Sequence, residues 1–233
     1  MRPLQAQTHK PEGDDTTERR KAALNAVWEG TREVQRGDPV WTYLTLRGIR
    51  LTAVPEALRY HRALDYWDEG RLINTFPAMV ARVSAPDGLP ATLHRTYLMP
   101  SGKKAPVSRV KKLMPPAKPG CPTHSAVRLH PAGTTLGIAE GIETALACHL
   151  ATGIAVWAAL SASFMPALVV PENVGKIIIF ADNDEGGAGQ TAASALARRL
   201  LSEGRKVKIL APDTPGTDWA DDTAGSDERP WEN

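Results

Sequence analysis

At 233 residues, 42% of them hydrophobic, the chain is long enough to bury one large core or two small ones. No apolar run approaches the roughly 20 residues of a membrane helix. The polar stretch Met1 to Glu18 also lacks the hydrophobic segment of a secretory signal, so a soluble, cytoplasmic protein with no membrane partner is expected. The net charge of +2 hides an asymmetry: residues 1–130 carry 21 Lys and Arg against 12 Asp and Glu, and residues 131–233 carry 7 against 14.

Residues 1–14 are polar and read as a disordered arm. Asp15, with Glu18 three residues on, resembles a capping box, and Leu24, Val27, Trp28 and Thr31 then recur at helical spacing, predicting a helix over Thr16–Gln35. Asp38 and Pro39 form a cap and first-turn pair for a shorter helix that Gly48 closes. Trp28, Trp41 and Tyr43 sit at helical spacings and read as core. Tyr60, Tyr66 and Trp67 lie in a less regular stretch where base stacking is the competing reading. From Phe76 the period becomes two: Ala78–Val83 and Ala91–Leu98 flank a turn at Pro86, Asp87 and Gly88, and Pro100, Ser101 and Gly102 turn the chain again. Residues 15–130 therefore read as a basic α+β subdomain, helices followed by a small antiparallel sheet. The proline-rich loop from Pro115 to Pro122 leads to the boundary.

After Pro131 strands alternate with helices. Thr135–Glu140, Ile154–Leu160, Lys176–Ala181 and Lys206–Leu210 are predicted strands, with helices over Ile142–Leu150 and Ala188–Glu203 and a short helical link over Ser163–Leu168. This is an α/β, Rossmann-like pattern with a mostly parallel four-stranded sheet, expected over residues 131–222 with a tail at 223–233.

Between Asp87 and Glu140 there is no acidic residue, yet Arg95, Lys103, Lys104, Arg109, Lys111, Lys112, Lys118 and Arg128 fall there. So one-sided a run reads as a polyanion-binding surface, because neutralising phosphates releases counterions; a merely solvated face intersperses both signs. Arg47 and Arg95 are better candidates for phosphate contact than the single histidines His61, His94 and His149. Two cysteines, Cys121 and Cys148, exclude a disulfide framework and a zinc ribbon, so no zinc is expected. Cys121 near His124 and His130 is a weak metal cue in what reads as a surface loop.

The acidic half carries the chemistry. Glu140 with Gly141, and Asp182 with Asn183 and Asp184, each close an apolar strand and open a helix, where a parallel sheet binds its ligands. Asp182 and Asp184 are spaced to share one Mg²⁺ or Mn²⁺. Gly186, Gly187 and Gly189 let backbone approach a phosphate at the start of the next helix. An isolated Asp-x-Asp is as often a turn or helix cap; the Glu-Gly closing another strand 42 residues earlier favours a metal site.

Residues 138–146, from Ile138 through Glu140 and Gly141 to Leu146, and Phe180–Gly189, around Asp182 and Asp184, resemble the two motifs of the Toprim domain of bacterial-type primases, topoisomerases and some nucleases. Residues 216–222, around Asp218 and Trp219, are similar to the acidic segment that follows the last strand in primase-type members. Thr144 stands where many members have Asp, so no ligand role is carried onto it. Upstream, Tyr43–Ile49 (with Arg47), Pro77–Ala81 and His94–Leu98 resemble the segment before the Toprim domain in primase-like proteins of phages, plasmids and integrative elements. The likeness thus covers roughly residues 20 to 222.

The resemblance implies a DNA primase-like nucleotidyltransferase that makes short RNA primers on a single-stranded DNA template from nucleoside triphosphates. Glu140, Asp182 and Asp184 would be catalytic, and metal would be held by them with Asp218. Gly141, Gly186, Arg95, Lys104, Arg109, Lys111 and Lys112 would contact triphosphate and template. A replicative helicase or other replication protein is the expected partner. Such primases usually begin with a zinc-binding domain and many are fused to a helicase; no cysteine cluster and no P-loop occurs here. A Toprim-type metal-dependent nuclease and a non-catalytic nucleic-acid-binding accessory are the competing readings.

Overall fold

The computed structural model of the chain describes residues 12–118, 120–183, 186–212 and 219. The expectations for most of the N-terminal arm, for Asp184, for Asp218 and for the tail lie outside the described residues.

Helix α1 spans Glu12–Glu29, so Asp15 lies inside it rather than capping it, and it stops six residues short of Gln35. The chain leaves the helix at Gly30, where a Cβ would come within 2.8 Å of His61 Nε2. Thr31–Glu33 then forms a short edge strand, β1, paired antiparallel with residues 59–61. Pairing with a neighbouring strand has overridden the helical spacing that Thr31 continued. Helix α2 is Pro39–Leu46, with Pro39 at its first position. The Asp38 carboxylate does not cap it but accepts from Arg32 Nη2 at 2.5 Å and from the Gln35 backbone N–H at 2.7 Å.

The stretch around Tyr60 and Trp67 is regular after all. β2 (Leu58–Asp68) and β3 (Arg71–Ser84) form a long antiparallel hairpin turning at Glu69 and Gly70, both with positive φ, as a tight two-residue hairpin turn demands. An irregularity between His61 and Leu64 inserts an extra residue and switches the strand's apolar face. Leu58 and Tyr60 pack with Met79 and Ala81 on one side; Leu64 and Tyr66 pack with Phe76 and Ala78 on the other. β4 (Pro90–Tyr97) and β5 (Lys111–Leu113) complete a five-stranded antiparallel sheet in sequential order. Tyr66 and Tyr97 meet edge to face at 4.9 Å on the α1 side, where Leu24 is buried with them.

The second sheet has the order β10-β9-β7-β8-β6. Strands β7 (Thr135–Ala139), β8 (Val156–Ala158), β9 (Lys176–Phe180) and β10 (Lys206–Leu210) are parallel. The expected four strands gain a fifth, β6 (Val127–Arg128), antiparallel to β8 and contributed by the basic half. Helix α3 (Ile142–Thr152) covers one face and α4 (Ala188–Ser202) the other. Residues 165–167 make a single 3₁₀ turn in place of the expected helical link.

The two sheets share a core. Tyr43, Leu44, Met79, Ala81 and Leu98 from the basic half pack in one cluster with Ile142, Leu146, Val156 and Phe180 from the acidic half. Reciprocal backbone hydrogen bonds between Ser84 and Ala126, of 2.9 and 3.1 Å, tie the end of β3 to the approach to β6. Gly137 in β7 lets this cluster close: a Cβ there would lie 2.7 Å from Val156 Cγ2 and 2.9 Å from Phe180 Cε2. Gly137→Val should therefore destabilise the fold by about 2 kcal/mol or more, read as the denaturant midpoint at unchanged slope, because β7 cannot shift without breaking both ladders.

Candidate active site

β7 and β9 are neighbours, with Ala139 opposite Phe180, so Glu140 and Asp182 leave the same end of the sheet one and two residues later. Glu140 stays in line because its carbonyl accepts from the Leu160 N–H at 2.8 Å, prolonging the β7–β8 ladder. The Asp182 side is held from below. Ala181 donates its N–H to Leu210 at 2.8 Å, and its carbonyl accepts the indole N–H of Trp219 at 3.2 Å. Trp219 is 5% exposed and packs edge-on against Phe180. Asn183 donates to the Pro212 carbonyl at 2.9 Å and accepts from Gln190 at 3.0 Å, tying the strand end to both β10's exit and α4. Both carboxylates are half-buried, and Oδ1 of Asp182 is shielded from solvent.

Gly141 and Gly187 precede α3 and α4. Gly187 has φ +65°, a conformation that disfavours side chains, and a Cβ on Gly141 would lie 3.3 Å from Thr144 Oγ1. Exposed Gly186 and then Gly187 thus lead into the start of α4 at the carboxylate edge. Two carboxylates on adjacent strand ends, with oxygen-only donors, fit Mg²⁺ or Mn²⁺. Among the described residues no group of three or more His, Cys, Asp or Glu forms a metal cluster; Asp184 and Asp218 lie outside them. His124 bonds the Ala167 carbonyl while His130 stacks on His149 at 3.6 Å, so the two histidines near Cys121 are engaged apart.

The basic residues divide between two faces of the antiparallel sheet. On β5, Lys111 turns towards α3, whereas Lys112 lies over Tyr66 at 4.2 Å and donates to the Trp67 carbonyl on the opposite face. Arg95, paired in register with Lys112, shares that opposite face and donates to the Leu113 carbonyl at 3.3 Å. Lys104 and Arg109 are exposed between β4 and β5.

A buried charge that sequence reasoning passed over joins the halves. Glu143, 4% exposed in the first turn of α3, accepts from Tyr43 Oη at 2.6 Å and from Lys111 Nζ at 2.8 Å. Burial alone would raise its pKa, but the Lys111 ammonium and the two hydrogen bonds outweigh it and bring the carboxyl down to about 2. His94, in register with Leu113 on β4, feels the same cluster; burial pushes its pKa down to about 4, so it is neutral. The available signal was a lone carboxylate three residues after Glu140 on an otherwise Ala- and Leu-rich helix.

Residues 18–129 match a domain of unknown function, DUF7146, and residues 135–226 match the Toprim domain. The solved structure of the Aquifex aeolicus primase, comprising its zinc-binding and RNA polymerase domains, superposes with a TM-score of 0.59 at 17% identity, over 93% of this chain and 59% of that one. The chain carries a Toprim domain on a primase-like fold. The DnaG primase catalytic domain bound to ssDNA is similar at a TM-score of 0.58 and 14% identity, covering 91% of this chain and 77% of that one. The RNA polymerase domain of Mycobacterium tuberculosis primase DnaG, in complex with double-stranded DNA, gives 0.51 and 14%, covering 89% and 75%. The present chain spans about three-fifths of the Aquifex chain's length. No curated protein sequence matches it significantly.

Within the Toprim domain the Trp219 indole packs and hydrogen-bonds against the strand end that leads to Asp182. Trp219→Ala should cost about 3–5 kcal/mol of stability by cavity formation. Trp219→Phe, which keeps most of the packing but loses the hydrogen bond, should cost only about 1 kcal/mol. Thermal or denaturant unfolding of the two variants separates these contributions.

Proposed function

We propose that the chain is a metal-dependent nucleotidyltransferase of the primase kind, joining ribonucleotides on a single-stranded DNA template. The reading rests above all on one observation: Glu140 and Asp182 end adjacent parallel strands of the Toprim sheet, beside the N-terminus of α4. The acid-free basic stretch before it, and a fold shared with primase domains solved with single- and double-stranded DNA, support it further.

A bound divalent ion would supply Lewis-acid stabilisation of the attacking and leaving oxygens in an in-line displacement. Asp182 and Glu140 would hold it, joined by Asp184 and Asp218. Glu140 would also accept the proton of an attacking 3′-hydroxyl. Gly186 and Gly187, without side chains, would let triphosphate oxygens approach the backbone before α4. Lys104 and Arg109, exposed between β4 and β5, would meet the backbone of template or triphosphate. We assign Arg95, Lys111 and Lys112 supporting positions in the same sheet, with Lys111 also fixing α3 through Glu143. Gly141 would keep backbone close to the metal. A replicative helicase or another replication protein of a mobile element would deliver the template.

Incubation with a single-stranded template, ribonucleoside triphosphates and Mg²⁺ or Mn²⁺ should yield short, RNase-sensitive, template-dependent products. Shortening of labelled strands without triphosphates would replace this reading with nuclease chemistry. Metal-independent binding without turnover would replace it with an accessory role.

A further inference from the structure

Away from the carboxylate edge, the basic half holds an open cavity of about 810 Å³ between two half-buried tryptophans, Trp28 of α1 and Trp41 of α2. Three arginines line it. Arg59 and Arg82 lie over the Trp28 ring at 5.2 and 5.6 Å, and Arg36 over Trp41 at 5.5 Å. Arg59 donates one Nη2 hydrogen bond to the Thr31 carbonyl at 3.2 Å, while its buried Nε has no hydrogen-bond partner among the described residues. Glu33 and Glu56 also line it and leave one positive charge in excess.

A second cavity, of about 540 Å³, shares Glu56 and Arg82 with the first and runs on to Arg128, whose guanidinium lies 4.6 Å from the Trp157 ring centre. Its far wall includes Pro131 and Pro171, which precede β7 and β9. It therefore sits at the opposite end of the parallel sheet from Glu140 and Asp182. A single Arg stacked on a Trp is ordinary packing. Three guanidinium groups converging on one open, aromatic-walled space repel one another, and a phosphate between them removes that repulsion. Bases stack on indole faces whatever their identity, and Arg beside the ring supplies the backbone contact.

We propose that these linked cavities form a second contact for single-stranded nucleic acid, remote from the carboxylate edge, with a base against Trp41 or Trp28 and phosphates on Arg59 and Arg82. A strand is favoured over a free nucleotide because the space continues through Arg82 into the second cavity and is longer than one nucleotide needs. The site needs no metal and no chemistry at Glu140 or Asp182, so it stands or falls separately from the nucleotidyltransferase reading.

The test is fluorescence anisotropy of a labelled oligothymidylate with the full chain in EDTA. Trp41→Leu and Arg82→Gln should each weaken binding by about tenfold, Arg82→Lys should restore part of the loss, and Asp182→Ala should leave affinity unchanged. Circular dichroism and melting temperature identify variants that fail to fold, and Arg36→Gln, at an exposed position, then provides the reading instead. Affinities within about twofold of the parent for Trp41→Leu, Arg36→Gln and Arg82→Gln would overturn the proposal. So would saturation of the site by thymidine monophosphate that the oligonucleotide cannot displace, which would make it a nucleotide pocket.

Discussion

Asp182→Ala should lower metal-dependent nucleotide incorporation by about a hundredfold or more, with little change in melting temperature. The loss is large because a carboxylate that holds a cation against developing charge acts in the transition state, where the interaction is strongest. The strand end also keeps ties made by its neighbours. Ala181 is tied to Leu210 and Trp219, and Asn183 to Pro212 and Gln190, through atoms the substitution leaves in place. Glu140→Gln separates the two roles proposed for that residue: it retains one neutral oxygen ligand but cannot take a proton. Its activity should fall at all metal concentrations if it is a base, and recover with excess Mn²⁺ if it is chiefly a ligand. Incorporation by Asp182→Ala at the parent rate would remove the carboxylate edge from the chemistry.

Lys111→Met should destabilise the protein by about 3 kcal/mol, more than its half-exposed side chain suggests. The methionine preserves the aliphatic stem but leaves the Glu143 carboxylate buried with no cation beside it, held by the Tyr43 hydroxyl and its own backbone N–H. Pairing Lys111→Met with Glu143→Gln should return part of the loss, since no buried charge then remains, and the double-mutant cycle measures the coupling. The same cluster sets the acid response. His94 is neutral when folded with its pKa near 4, so the unfolded chain binds the extra proton and stability falls as pH drops from about 6.5 towards 4. Glu143 is ionised when folded, and its contribution, present above the unfolded value near 4.5, is lost as pH falls towards about 2. Denaturant midpoints measured across this range should show two successive declines. His94→Gln should shrink the upper one, which His130, pushed by burial to about 4, and His61, also lowered by burial, share, and should leave the lower.

The acidic half was legible because its signals are local. Apolar runs ending in Glu140 and Asp182, and Gly153 and Gly204 closing helices, each fix an element within a few residues. The basic half hid its largest feature. β2 changes face at its bulge, so Leu58 and Tyr60 serve one core while Leu64 and Tyr66 serve another, and no single alternation describes the strand. β1 and β6 are three and two residues long and exist only through their partners. Trp41, read as core from its spacing, instead walls an open cavity; Trp28 packs against the α1-side core but also walls that cavity, while Tyr43 is buried as expected. Spacing identifies the inward side of a helix but not where two helices fail to meet. The basic run was read as one polyanion-binding surface, yet strand alternation sends Lys111 and Lys112 to opposite faces.

β6 has a consequence for how this chain can be divided. It belongs by sequence to the basic half and by hydrogen bonding to the Toprim sheet, next to the Ser84–Ala126 bridge. A cut at the change of charge near residue 130 would strip the Toprim sheet of its border, leaving β8 with an open flank. The same cut would part Tyr43, Met79 and Leu98 from Ile142 and Phe180. The halves are matched modules that cannot be traded singly: a Toprim unit moved into another chain would have to carry its upstream partner with it.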